Sequence, residues 1–262
     1  MNILETIIAK KKIEVAESKR NKSVRELESA PFFNHEVLSF SDYLLREDKT
    51  GIIAEFKRKS PSKGIINDHA TVKEVTAGYA HFGASGISVL TDEEFFGGSL
   101  QDLVEATTNE VPLLRKDFII DEYQLLESKA FGAGVILLIA ACLTRDEVAA
   151  FAAFAKNIGL NVLLEIHNEQ ELHHICNDVD VVGVNNRDLK TFTTDINRSI
   201  ELSSKIPADK IKISESGIDN IDSIKLLRQH GFKGFLIGEK FMKEKDPIKA
   251  FENFTIELNM NT

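Results

Sequence analysis

Tryptophan is absent from the sequence, and there are only two cysteines, Cys142 and Cys176. They stand too far apart for a metal-type spacing. Cys142 follows an apolar run and reads as a buried thiol. Long apolar runs are missing too. The longest, near Val135 to Ala141, falls far short of the roughly 20 residues that a membrane-spanning helix needs. Nor is there an excess of positive charge. The formal net charge of −9 argues against a general binder of nucleic acid or acidic membranes. Cations that meet an anionic substrate must therefore be gathered locally. The run Lys10-Lys11-Lys12 is interrupted by Glu5, Glu14 and Glu17. Transit peptides are poor in acids, and no apolar signal core follows, so a cytoplasmic protein is expected. The neighbours His173 and His174 read as a solvated pair, because adjacent helical residues point apart.

What is present is alternation. Over residues 1–50, Leu4, Ile7, Ile8 and Val15 fall near helical spacing, which predicts an amphipathic helix. A second short helical piece is predicted around Val37 to Leu45. From Gly51 onward, apolar runs rich in β-branched residues alternate with helical patterns. The predicted strands are Ile52–Phe56, Ile87–Leu90, Leu113–Lys116, Val135–Ala140, Val162–Ile166, Val181–Asn185, Ile211–Glu215 and Phe235–Gly238. Between them lie helical segments such as Thr71–Phe82, Glu122–Phe131, Arg145–Asn157, Ile221–His230 and Asp246–Leu258. Glycine recurs where a helix gives way to the next strand, at Gly83, Gly132, Gly159 and Gly231. Strict alternation implies a parallel sheet covered by helices. A doubly wound open sheet is the rival arrangement. Eight units, a length of 262 residues and the lack of Gly-x-Gly-x-x-Gly after the first strand favour a closed (β/α)8 barrel, typically about 250 residues. The expectation is one domain over 1–262, with 1–50 as a helical extension and 51–262 as the barrel.

In such barrels the active site lies at the carboxyl ends of the strands. Side chains alternate along a strand, so Glu55 and Lys57 leave one face at the end of the first. The third strand ends in Lys116, the fifth in Glu165, the sixth in Asn185 with Arg187 beyond, and the seventh in Glu215. Any single one is compatible with a rim ion pair. Together, Lys57, Lys116, Glu165 and Glu215 predict a confined site whose charges push one another's pKa values apart.

Phosphate capture is predicted at Ser216-Gly217-Ile218, after the seventh strand, and at Gly238-Glu239-Lys240, after the eighth. Barrel phosphate sites commonly use these two loops. Asp219 is placed to start the next helix. Ser60, after the first strand, can add a hydroxyl. Phe96 and Phe118 are expected in loops at the same end, where an aromatic substrate ring needs apolar walls.

The ordered motifs resemble a known family. They are Glu55-Phe56-Lys57-Arg58-Lys59-Ser60-Pro61-Ser62, Phe96-Gly97-Gly98-Ser99, Leu114-Arg115-Lys116-Asp117-Phe118, Leu164-Glu165-Ile166, Gly183-Val184-Asn185-Asn186-Arg187-Asp188-Leu189, Ser214-Glu215-Ser216-Gly217-Ile218 and Leu236-Ile237-Gly238. As a set spanning nearly the whole chain, they are similar to indole-3-glycerol phosphate synthase. The resemblance implies a lyase of tryptophan biosynthesis acting on 1-(2-carboxyphenylamino)-1-deoxyribulose 5-phosphate, with loss of carbon dioxide and water. No metal or organic cofactor is implied.

Within that resemblance Lys116 matches the general acid. Lys57, Glu165 and Glu55 match the acid and base groups of the dehydration, and Lys57 also suits the substrate carboxylate. Asn185 and Arg187 match residues that orient substrate and side chains. Glu215 and Ser216 match the next part of the site, with Ser216, Gly217 and Gly238 at the phosphate. Glu239 stands where some members carry a small hydroxyl residue. Its charge would repel a phosphate, so backbone contact is expected there, with the carboxylate turned away. The alternatives are another phosphosugar barrel, such as phosphoribosylanthranilate isomerase, and a catalytically silent phosphate-binding scaffold. A monomer with a small phosphorylated substrate is expected, and neither nucleic acid nor membrane as a partner.

Overall fold

A computed structural model describes residues 3–188 and 191–260. Eight parallel strands close into a barrel: β1 (Ile52–Phe56), β2 (Gly86–Leu90), β3 (Leu113–Lys116), β4 (Val135–Ile139), β5 (Asn161–Ile166), β6 (Val181–Asn185), β7 (Ile211–Glu215) and β8 (Gly234–Ile237). Each pairs with its neighbours in chain order, and β8 pairs with β1. Every expected strand is present within a residue or two. Ala140 belongs to a 3-10 turn, and Gly238 precedes a short helix.

The helices are α1 (Ile3–Asn21), α2 (Val24–Glu28), α3 (Phe40–Leu45), α4 (Val72–His81), α5 (Glu93–Phe96), α6 (Leu100–Ala106), α7 (Glu122–Ala130), α8 (Arg145–Asn157), α9 (Asn197–Ser203), α10 (Ile221–Gln229), α11 (Glu239–Met242) and α12 (Pro247–Met260). The helix-to-strand turns repeat one geometry. After α4, Gly83 takes φ 90°, and the next amide, of Ala84, donates to Tyr79 O at 3.0 Å. Glycine adopts this left-handed conformation at little cost. The same bond recurs after α7, α8 and α10, as Ala133 to Ser128, Leu160 to Ala155 and Phe232 to Leu227. The chain thus leaves each helix directly into the following strand.

One apolar layer lies between strands and helices. Another fills the barrel, where Ile53, Leu114, Leu137, Leu163, Val181, Ile213 and Leu236 pack with Phe40 and Leu44 of α3. Helix α3 is therefore a plug at the amino-terminal end. Gly86 and Gly234, the first residues of β2 and β8, leave room for it. A Cβ there would come within 3.2 Å of Phe40 and 2.9 Å of Leu44. Burying Phe40 completely contributes about 1.5–3 kcal/mol. With that end sealed, the other end is open for a site.

Four local expectations need correction. Asn220, not Asp219, caps α10, accepting from the Ser223 amide at 2.8 Å. Phe96 ends a short helix rather than lying in a loop. Cys142 is half-buried, although burial still pushes its thiol up to about 12. His173 and His174 are not a solvated pair. They sit in a 3-10 helix with rings 4.4 Å apart, and the buried His174 places Nε2 3.1 Å from Leu143 O. A feature not foreseen is a small hairpin after β1, pairing Lys59–Ser60 with Gly64–Ile65.

Candidate active site

A cavity of about 420 Å³ opens at the carboxyl ends of the strands. Its floor is ionic. Lys116, the last residue of β3, places Nζ 2.7 Å from Glu165 Oε2 and 3.2 Å from Glu215 Oε2. Glu165 Oε1 accepts from Asn185 Nδ2 at 3.1 Å. Register explains the grouping: Asn185 pairs with Glu215 across β6 and β7, while Glu165 pairs with Gly183. Gly183 leaves Glu215 its place, because a Cβ there would overlap Glu215 Oε1 and make it shift. Nearby, Lys57 Nζ lies 2.7 Å from Glu55 Oε1. That ion pair stands at the mouth of a closed ring of strands.

These charges bias one another. Burial works to lower the Lys116 ammonium, but Glu165, Glu215 and Glu55 outweigh it and raise its pKa above the ordinary lysine range. Burial pushes Glu165 up, yet Lys116 and His167 hold it well below the usual carboxylate range. Glu215 is pushed up to about 7 by burial, with the Glu165 charge adding and Lys116 opposing. One ammonium between two buried carboxylates thus leaves one ionised and the other ready to hold a proton.

One wall is aromatic. Phe96 and Phe118 meet with centroids 6.2 Å apart and planes tilted by 39°. That spacing makes them one continuous surface rather than two faces of a slot. Ile3, Leu4 and Ile7 of α1 extend the lining.

The opposite side is backbone. Ser216 (φ 68°) and Gly217 (φ 71°) both turn left-handed, and Gly238 precedes α11. A left-handed non-glycine residue is uncommon and needs support. Asn186 supplies it, donating from Nδ2 to Ser216 O at 3.0 Å and to Ser214 Oγ at 2.9 Å. Gly238 also gives Glu55 room, since a Cβ there would lie 2.6 Å from Glu55 Oε1. Ser60 lines the same mouth. Glu239 turns its carboxylate towards Arg187 and Lys63, at 3.7 and 3.8 Å. Lys240 and Lys243 stand at the same rim, so cations are gathered locally despite the net charge.

All fourteen side chains and glycines expected from sequence line this one cavity. Leu189, the last residue of its motif, lies outside the described residues. Three residues not singled out by sequence also support the site: Asn186, His167 and Lys11. His167 shares strand parity with Glu165, which is a readable signal. Lys11 gives none, because its buried partners Asp92 and Asp117 are distant in sequence. Among the described residues no group of three His, Cys, Asp or Glu side chains is arranged to hold a metal ion.

A family model described as indole-3-glycerol phosphate synthase matches residues 4–254. The chain belongs to this family. It is 47% identical over 255 residues to the indole-3-glycerol phosphate synthase of Bacteroides thetaiotaomicron, covering 97% of each chain. It is 44% identical to that of Alkaliphilus metalliredigens over 245 residues, 92% of this chain and 93% of the other. Among solved structures, tryptophan synthase subunit alpha from Legionella pneumophila superposes with a TM-score of 0.59 at 12% identity. That match covers 85% of this chain and 98% of the other. At so low an identity the likeness concerns the barrel alone. Membership of the indole-3-glycerol phosphate synthase family fits a cavity with an aromatic wall, an ionic floor and a backbone cradle.

Proposed function

We propose that this chain converts 1-(2-carboxyphenylamino)-1-deoxyribulose 5-phosphate to indole-3-glycerol phosphate in tryptophan biosynthesis, and that the cavity residues divide the work as follows. The phosphate lies against the backbone of Ser216, Gly217 and Gly238, within reach of the Ser60 hydroxyl, and Arg187 orients the substrate. The carboxyphenyl ring lies on the Phe96–Phe118 surface. Lys57 holds the ring carboxylate until carbon dioxide leaves.

Ring closure needs an aromatic carbon to attack the ketone, whose oxygen gains negative charge. Lys116 is the only ammonium flanked by two buried carboxylates on the described cavity floor, and it delivers the proton there. Dehydration then requires a proton for the departing hydroxyl and a base for the ring. Lys57 and Glu55 serve the first, and the ionised Glu165, oriented by Asn185, serves the second. Glu215, the more easily protonated neighbour, shares the charge on Lys116 as the reaction proceeds. The Glu239 carboxylate stays with Arg187 and Lys63, clear of the phosphate.

The observation that carries this reading is the Lys116–Glu165–Glu215 cluster set between an aromatic wall and an anion cradle. The cavity is lined by one chain, so a monomer would suffice. No described helix is long and apolar enough to cross a membrane. The test mixes the protein with the carboxyphenylamino sugar phosphate and follows indole fluorescence. With no tryptophan in the chain, background is low. Product fluorescence supports the lyase. Intact ligand binding without fluorescence supports a silent scaffold instead.

A further inference from the structure

Strand β5 delivers one more ionisable group that none of these roles uses. His167 follows Glu165 by two positions, shares its face and is buried. Its Nε2 lies 3.2 Å from Glu165 Oε1, and its Nδ1 lies 3.4 Å from Glu171 Oε2. Glu171 is itself fixed: Oε2 accepts from the His167 backbone amide at 2.7 Å, and Oε1 accepts from Asn168 Nδ2 at 2.6 Å. The imidazole is clamped between two carboxylates, one inside the cavity and one behind it. On the cavity side the contact is one of charge, because among the described residues Nε2 has no aligned hydrogen-bond partner.

We infer that His167 is a positioning residue: as an imidazolium behind Glu165, it fixes Glu165 as the ionised one of the two carboxylates that flank Lys116, and leaves Glu215 to hold the proton. This rests on the reading of Lys116 and Glu165 as an acid–base pair.

The two carboxylates differ in what surrounds them. Glu165 has Lys116 on one oxygen, and Asn185 and His167 on the other. Among the described residues Glu215 has only Lys116, and its Oε1 is buried with no partner. A buried anion without partners is costly, so the negative charge settles where donors and cations surround it. Without His167, the two sites would differ by little more than one amide.

The other ionisable groups around the imidazole favour the same state. Glu171 faces it from the 3-10 helix after β5. Cys142, after β4, is a neutral thiol pushed up to about 12 by burial and by Glu165 and Glu171. Lys116 and Glu215 lie beyond Glu165. Burial works to lower His167, but Glu165 and Glu171 outweigh it and raise it to about 9. The imidazolium therefore persists through neutral pH.

Two measurements test the inference. The first follows the ring carbons and nitrogens of His167 by NMR in the substrate-free, unaltered protein as pH rises. The expected result is an imidazolium that persists beyond pH 8. Titration near the ordinary value of about 6.5 overturns the inference. This experiment needs no turnover and no variant, so it stands apart from the fate of the lyase assay. The second compares kcat against pH in the unaltered chain and in His167→Gln. Loss of the cation lets the proton held by Glu215 pass to Glu165, and the acid limb belongs to that pair. The acid limb should therefore move up by about one pH unit, with KM changed less than about twofold. A variant that only melts earlier, with its acid limb unmoved, shows a purely structural histidine and overturns the inference.

Discussion

The ammonium of Lys11, in the amino-terminal helix α1, lies 2.9 Å from the carboxylate of Asp117, one residue beyond Lys116. The same Nζ is 3.0 Å from Asp92 and 2.7 Å from Glu14. Lys11 and both aspartates are almost completely buried. Asp117 also binds Arg115, at 3.0 Å, and accepts from the Thr91 hydroxyl at 2.6 Å. Asp92 caps the short helix that ends in Phe96. One cation thus ties the amino-terminal extension to the two loops that carry the aromatic wall.

Lys11→Met should therefore be severe. It leaves two buried carboxylates short of a cation, a change that costs about 3–5 kcal/mol when a buried pair is broken. Urea unfolding monitored by circular dichroism checks this. KM should also rise more than kcat falls, since Phe96 loses its anchor. A variant within about 1 kcal/mol of the unaltered chain removes Lys11 from this role.

Acid sensitivity follows from the same cluster. Burial works to raise Asp117, but Arg115 and Lys11 outweigh it and hold the group at about 2. A depressed carboxylate contributes stability that is fully present above its unfolded value of about 3.9. That contribution is lost as pH falls towards 2. Unfolding free energy measured from pH 5 down to pH 2 should drop across this window. Asp117→Asn should flatten the drop, although it is less stable at neutral pH.

Gly183→Ala tests the floor. The new methyl would occupy the place of Glu215 Oε1, so Glu215 must shift and Lys116 loses a partner. Displacements of about 1 Å in a catalytic group cost on the order of 10²-fold in rate. Turnover by indole fluorescence should fall by about that factor, with substrate binding largely kept. Unchanged turnover would show that Glu215 has no fixed place in the reaction.

The cradle depends on a buried amide. Asn186→Ala removes the donors to Ser216 O and Ser214 Oγ. It also removes the acceptor of the Ser199 amide and hydroxyl, at 3.3 and 2.8 Å, leaving that hydroxyl with Ser214 Oγ alone. Leaving such groups unpaired costs about 1–3 kcal/mol. The left-handed turn at Ser216 should relax, so KM and the inhibition constant for inorganic phosphate should both rise. A loss of stability with phosphate inhibition unchanged would separate Asn186 from the cradle.

Much of this was legible in the sequence because a strand's periodicity is rigid. Once β5 begins at an apolar run, Glu165 must share a face with Leu163, and a polar residue at a strand's end must point into the mouth. Glu55, Lys116, Asn185 and Glu215 follow in the same way. Lys11 was not legible, because helical spacing alone places it in an ordinary charged run. Its burial arises only when Asp92 and Asp117 arrive from other elements. Asn186 was quoted within a motif, but its opposite parity conceals that it works from behind the cavity. The hairpin after β1 was hidden because two-residue strands carry no periodic signal. Asp219 and Asn220 are both good caps in sequence terms, and only the backbone shows that Asn220 takes the position.

The central claim is that Lys116 is the proton donor in the ring closure. Lys116→Ala, assayed by indole fluorescence at saturating substrate, tests it most directly. With the circular dichroism spectrum unchanged, kcat should fall by roughly 10²–10⁴, the usual worth of a general acid. A fall of less than about tenfold in a folded variant would contradict the account.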